Sequence, residues 1–105
     1  MSRGRARAEP MSDHSQIPDG WTSLEGDGWV EAVHCRYPDG EAVTVWIRQS
    51  GGVYEVRETL DSPVSGQKES AVGVQESLAG ARELMVKTCR DWDNWILRRP
   101  TIGCN

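Results

Sequence analysis

Two short turn sequences constrain the fold of this chain more than any other feature. Residues 29–60 are rich in β-branched and aromatic side chains, and they are interrupted at Pro38–Gly40 and at Gly51–Gly52. In the first turn proline presets the backbone and glycine accepts a positive φ, while the paired glycines of the second suit a tight hairpin loop. The sequence therefore predicts three consecutive strands: Trp29–Tyr37, Ala42–Gln49 and Val53–Leu60.

The same turns set the strand registers. A two-residue loop at Gly51–Gly52 places Ser50 opposite Val53, and closure of the first hairpin places Tyr37 opposite Glu41. The predicted pairs are Arg48–Glu55, Ile47–Val56, Trp46–Arg57, Thr44–Thr59 and Val43–Leu60 in the second hairpin, and Cys35–Val43, Val33–Val45, His34–Thr44 and Ala32–Trp46 in the first. Both hairpins put apolar pairs on one face and most polar pairs on the other, which a wrong register would not be expected to do.

Apolar residues near the end of the chain recur at helical spacing. They follow one another at steps of three or four, the pattern of one buried helix face: Val74, Leu78, Ala81, Met85, Cys89, Trp92 and Ile96. Pro100 ends the pattern, and Arg98 and Arg99 precede it, where the helix dipole favours cations. The sequence thus predicts a helix over residues 75–97.

These elements predict an α+β fold over residues 21–99: a three-stranded antiparallel β-meander packed against one long C-terminal α-helix. The helix is expected to cover the sheet face that carries Val33, Val43, Val45, Ile47 and Val56. Residues 70–74 suit either a short edge strand or the approach to the helix, which leaves a four-stranded meander open. Residues 1–20 lack apolar periodicity and are expected to form a disordered leader, with residues 100–105 as a flexible tail.

Charge is distributed unevenly along the chain. The net charge is −4, but the first ten residues carry Arg3, Arg5 and Arg7 against Glu9, so the remaining 95 residues carry −6. A translation start at Met11 would remove this basic cluster. If the cluster is part of the protein, it is an arm suited to nucleic acid or to a membrane surface.

Several functional classes find no support in the sequence. Its apolar runs are far shorter than the roughly 18 residues that span a bilayer, so we expect a cytoplasmic protein with no membrane contact through the folded domain. Cys35, Cys89 and Cys104 have neither zinc-site spacing nor the even number of a disulfide framework. Because no catalytic set, phosphate-binding loop or metal-ligand set is recognisable, we expect no enzyme activity, no metal and no cofactor.

Arginine and tryptophan side chains gather on the predicted sheet face that points away from the helix. The registers place together there His34, Arg36, Thr44, Trp46, Arg48, Arg57 and Thr59. One interpretation is ordinary cross-strand pairing, with a Trp46–Arg57 cation–π contact and an Arg48–Glu55 ion pair. The other is a binding face, because Trp and Arg are enriched at interface hot spots.

The C-terminal end of the predicted helix is a second candidate contact. A helix of about 34 Å is longer than strands of about 26 Å, so Trp92 and Trp95 should project past the sheet. Exposed tryptophans of this kind are typical of a contact surface. They stay exposed unless Trp21 and Leu24, or a second subunit, cover them.

The sequence favours binding over catalysis. The main expectation is a small acidic module that contacts another protein and forms a homodimer, because a thin aliphatic core and an exposed helix end both need further burial. The alternative is a nucleic-acid-binding domain that uses the Arg/Trp face of the sheet. The charge of −6 disfavours it, since nucleic-acid binders carry a basic footprint. A third reading, in which the acidic surface occupies the basic groove of a nucleic-acid-binding protein, is a version of the first.

Overall fold

The computed structural model describes residues 17–98. The predicted tail and all but the last four residues of the predicted leader lie outside them. The described elements are β1 (Thr22–Leu24), β2 (Glu31–Arg36), β3 (Ala42–Ser50), β4 (Val53–Ser62), β5 (Gly66–Gln75) and α1 (Leu78–Arg98). The strands form one antiparallel sheet in the order β1-β2-β3-β4-β5, so the fold is an α+β meander with one C-terminal helix.

Both predicted hairpin registers are confirmed. Ser50 pairs with Val53 and Trp46 with Arg57 in the second hairpin, while Cys35 pairs with Val43 in the first. The turns explain this agreement, because Gly51 and Gly52 have φ of 55° and 85° and Gly40 has φ of 94°. Side chains other than glycine rarely adopt such values, so the glycines specify where each strand reverses.

The prediction of three or four strands undercounts the sheet, which has five. β1 has only three residues and all are exposed, so it carries no apolar alternation. β5 is ten residues long, but its first six residues are exposed and polar or small. Strands at a sheet edge bury little, and their sequences therefore lack the period-two pattern that reveals central strands.

The core lies between α1 and the central strands. Its members from the sheet are the five residues predicted for this face, all with no exposed surface, together with Cys35 at 7% exposed. The helix contributes the buried residues Ala81, Met85, Cys89 and Ile96. Ile17, within the predicted leader, packs partly buried against the same cluster. Burying a Val, Ile or Met side chain stabilises the fold by about 1.5–3 kcal/mol each.

The helix begins at Leu78, three residues later than predicted. Ser77 precedes it, and its Oγ accepts a hydrogen bond from the Gly80 N–H at 3.0 Å, which is the geometry of an N-cap. Val74, which the helical spacing also included, lies in β5 and is 58% exposed, so of the two alternatives left open for residues 70–74 the edge strand is the one present. Its spacing from Leu78 matches a helical step by coincidence, because the chain leaves the strand between the two residues.

The C-terminal end of the helix is covered in part. Ile96 is 7% exposed and belongs to the core, whereas Trp95 is 55% exposed. Trp21 is buried and packs edge-on against Tyr37, with ring centroids 6.3 Å apart. One of the two covering residues foreseen from the sequence therefore reaches this end. Leu24, the other, lies in β1 opposite Ala32, on the face of the sheet away from the helix.

Candidate binding surfaces

The first candidate surface is the sheet face that points away from α1, called here the open face. The register aligns Thr44 with His34 and Thr59, and Trp46 with Ala32 and Arg57. The seven residues predicted to gather on this face therefore share it, since alternate residues of paired strands point to the same side. His34 Nδ1 lies 2.9 Å from Thr44 Oγ1, so this histidine is tied to its neighbour on β3.

Ion pairs cross the open face as a chain of alternating charges. Arg48 contacts Glu55 at 2.6 Å, Glu55 contacts Arg57 at 2.7 Å, and Arg57 contacts Glu69 at 2.9 Å. Hydrogen bonds from Arg48 and then Arg57 lower the pKa of Glu55, and hydrogen bonds to Glu69 and then Glu55 raise the pKa of Arg57. The predicted Arg48–Glu55 pair is present, and two of the three arginines of this face, Arg48 and Arg57, are paired with the carboxylates of Glu55 and Glu69.

The two tryptophans of the predicted helix end do not join the open face. Trp92 and Trp95 lie on α1, across the sheet from Trp46, so the predicted site residues divide between two surfaces. Their rings meet edge to face, with centroids 5.7 Å apart and planes at 87°. Trp92 is partly buried against the core and Trp95 is 55% exposed, so Trp95 presents most of the aromatic surface of this pair to solvent. Aromatic surface of this kind suits contact with apolar or cationic groups.

A surface groove of about 430 Å³ opens beside this tryptophan pair, and we call it the Trp groove. It lies between the C-terminal half of α1 and strands β4 and β5. The residues that line it are Glu58, Val72, Thr88, Asp91, Trp92 and Trp95. Val72 lies at a β-bulge beside the groove: Val56 pairs with Gly73 and Arg57 with Ala71, which leaves Val72 as the extra residue.

Glu58 is the residue of the groove that sequence reasoning missed. It is paired with Val45, so it lies on the helix-covered face among apolar residues. Its Oε1 accepts the Trp92 indole N–H at 2.8 Å, and its Oε2 accepts the Ser70 hydroxyl at 3.0 Å. Among the side chains that the structure describes, no Lys, Arg or His forms an ion pair with it. The alternation of Val56, Glu58 and Leu60 along the strand was the available signal.

A second unforeseen carboxylate ties the start of the described chain to its end. Asp93 Oδ1 accepts the Tyr37 hydroxyl at 2.6 Å and the Trp21 indole N–H at 3.0 Å, and Oδ2 lies 3.2 Å from the same indole nitrogen. Burial, reinforced by the charge of Asp93, raises the pKa of the Cys35 thiol and raises that of Cys89 to about 12. Burial and the bond to Asp93 also raise the pKa of Tyr37. This cluster is structural in character, because its donors are buried and already paired.

The chain matches no protein-family model, no curated protein and no solved structure. Within residues 17–98, no three His, Cys, Asp or Glu side chains converge as ligands of a metal ion. In the same part of the chain, no helix combines the length and the apolarity needed to cross a membrane.

Proposed function

We propose that this chain is a small non-enzymatic binding module that contacts another protein, including a second copy of itself, through the Trp groove and the adjoining edge of β5. The Trp92–Trp95 pair beside an edge strand, in which Trp95 is 55% exposed and Trp92 is partly buried, is the observation that carries the proposal. Tryptophan is enriched at interface hot spots, because one end of its side chain can be buried while the other end stays in contact with water.

The edge of β5 supports this proposal through its backbone. The strand runs for ten residues, and within the described sheet it pairs with β4 alone. Its outer row of N–H and C=O groups can accept an added strand, a mode in which backbone bonds supply affinity and side-chain pockets supply specificity. The Trp groove adjoins this edge through Val72, so a strand added there would place alternate side chains next to the tryptophans.

The charges of the open face weigh against the nucleic-acid alternative. Arg48 and Arg57 are each held by carboxylates, so displacing Glu55 and Glu69 would have to precede contact with phosphate. Nucleic-acid binding draws its affinity from uncompensated basic groups. The proposal therefore favours the helix side of the sheet over the open face.

Sedimentation velocity over a concentration series tests the proposal. The wild-type chain should associate as its concentration rises, and Trp95→Ala should weaken association by about 30-fold, the loss typical of a hot spot worth about 2 kcal/mol. Trp46→Ala is the matched control, since it removes the same side chain from the open face. Circular dichroism confirms that each variant is folded.

Two results would count against the proposal. Weak interfaces of this kind are populated at hundreds of micromolar. A wild-type chain that remains monomeric at this concentration would therefore contradict the proposed self-association. Loss of association in Trp46→Ala with none in Trp95→Ala would move the contact to the open face. A parallel titration with duplex DNA and with RNA at low salt should show no binding.

A further inference from the structure

We infer that the Trp groove takes a cationic side chain, and that its occupant within a single chain is the arginine-bearing segment of residues 3–7. This inference rests on the proposed function for the identity of the surface, and it adds the chemistry of the group that the surface accepts. The groove joins two aromatic rings to a carboxylate that has no basic partner among the described side chains, and the N-terminal segment supplies basic groups in a matching pattern.

The groove has the composition of a cation receptor. Trp92 is fixed by its hydrogen bond to Glu58, and Trp95 stands at a right angle to it. A guanidinium placed there would contact an aromatic face and a carboxylate together, and cation–π contacts strengthen as water is excluded. Asp91 adds a second carboxylate at the rim, where Lys87 holds it at 2.8 Å.

The N-terminal segment has the pattern of a strand with one charged side. Arg3, Arg5 and Arg7 alternate with Gly4, Ala6 and Ala8. In an extended conformation alternate side chains point to opposite sides, so the three arginines would share one side and the small residues the other. Such a segment can add to the edge of β5 with its arginines toward the groove.

The length of chain that precedes the described residues is sufficient to reach the groove. The described chain starts at Ile17, which packs against the core five residues before β1 begins at Thr22. Five strands at about 4.8 Å spacing are about 19 Å across, whereas the ten residues from Arg7 to Ile17 span up to about 33 Å. A tethered segment also has an effective concentration near the millimolar range, which favours its own groove over that of a second molecule.

Nuclear magnetic resonance of the indole N–H groups tests this inference in the full-length chain. The triple variant Arg3→Glu, Arg5→Glu, Arg7→Glu should shift the Trp92 and Trp95 signals and leave that of Trp46 unchanged. Replacing the same three residues with lysine keeps the charge and should leave the signals near their wild-type positions. Salt at about 1 M, where the Debye length is roughly 3 Å, should move the wild-type signals toward those of the charge-reversed chain.

A groove variant and a rescue complete the test. Glu58→Gln removes the charge but also changes the acceptor of the Trp92 indole, so the signal to follow is that of Trp95, which should shift as in the charge-reversed chain. Glu83→Gln, on the exposed side of α1, should leave the Trp95 signal unchanged. Adding a peptide of residues 1–10 to the charge-reversed chain should restore the wild-type signals. Because the segment would compete with a second copy, the charge-reversed chain should also associate more tightly than wild type.

Several outcomes would overturn the inference. If the Trp92 and Trp95 indole signals are the same in the charge-reversed chain as in wild type, the arginines do not occupy the groove. A shift that depends on protein concentration would assign the occupant to a second molecule. The proposed function fails separately, when the charge-reversed chain, whose groove the segment no longer fills, also stays monomeric at hundreds of micromolar or associates equally well when Trp95→Ala is added.

Discussion

Replacing Asp93 should destabilise this protein far more than its place on a charged helix end suggests. Its carboxylate accepts hydrogen bonds from Tyr37 at 2.6 Å and from Trp21 at 3.0 Å. Both donors belong to side chains with little exposure, 4% for Tyr37 and 6% for Trp21. In Asp93→Ala the hydroxyl and the indole N–H would lose their acceptor in a place that water reaches poorly.

The magnitude follows from the cost of leaving buried donors unpaired. Each such donor costs about 1–3 kcal/mol, so the two together give about 2–6 kcal/mol. Asp93 is itself partly exposed, and water entering the vacated volume would recover some of this, which places the expected loss at about 2–4 kcal/mol. For a domain of this size that corresponds to a fall in Tm of roughly 10–30 °C. Asp93→Asn keeps one oxygen acceptor and loses the charge, so its cost should be about 1 kcal/mol.

Urea unfolding followed by tryptophan fluorescence measures these losses. Asp91→Ala is the control, because it removes a carboxylate two positions away that is 59% exposed and paired only along the helix with Lys87. That exposed pair should contribute no more than about 0.5 kcal/mol. If Asp93→Ala and Asp91→Ala lower the free energy of unfolding by the same amount, Asp93 is not the acceptor that the geometry indicates.

Three further predictions concern stability. Burial raises the pKa of Cys89 from 9.0 to about 12, so the folded state holds a proton that the unfolded state releases, and stability should fall as pH rises from about 9 to about 12. Cys89→Ala should reduce the slope of unfolding free energy against pH by about 1 kcal/mol per unit in urea titrations, and an unchanged slope would exclude this thiol. Gly51 has φ of 55° and open space at its Cβ position. Gly51→Asn should therefore change stability by less than about 1 kcal/mol, whereas Gly51→Val should lower it by about 1–2 kcal/mol. Equal thermal midpoints for the two variants would contradict a positive-φ turn. Ser77→Ala should cost about 1 kcal/mol by removing the acceptor for Gly80 N–H, with Ser77→Asp retaining most of the stability in the same thermal melts.

The central hairpins could be predicted because local chemistry specifies them. Glycines with positive φ fix where the chain reverses, and the period of two along each strand then fixes which side chains share a face. The helix was equally visible, because its buried residues recur at steps of three and four. Its start was misplaced since Val74 happens to lie one helical step before Leu78, and the capping residue Ser77 gives the better boundary.

The edge strands and the carboxylates of Glu58 and Asp93 could not be found in the same way. β1 and β5 bury too little to impose a pattern, and the bulge at Val72 further interrupts alternation. Glu58 and Asp93 are polar residues at positions where the period predicts apolar ones. These carboxylates are accepted there because indole and hydroxyl groups 12 to 72 positions away donate hydrogen bonds to them, a relationship visible only after folding.

The bond between Trp21 and Asp93 also bears on how the protein is made. The two residues are separated by 72 positions, and the helix that carries Asp93 is the last described element to leave the ribosome. Until it emerges, the nascent sheet must hold Trp21, Tyr37 and the apolar sides of β2–β4 without their cover. Such exposed surface is what chaperones bind and what promotes aggregation. Emergence of α1 therefore converts an exposed sheet into a covered one.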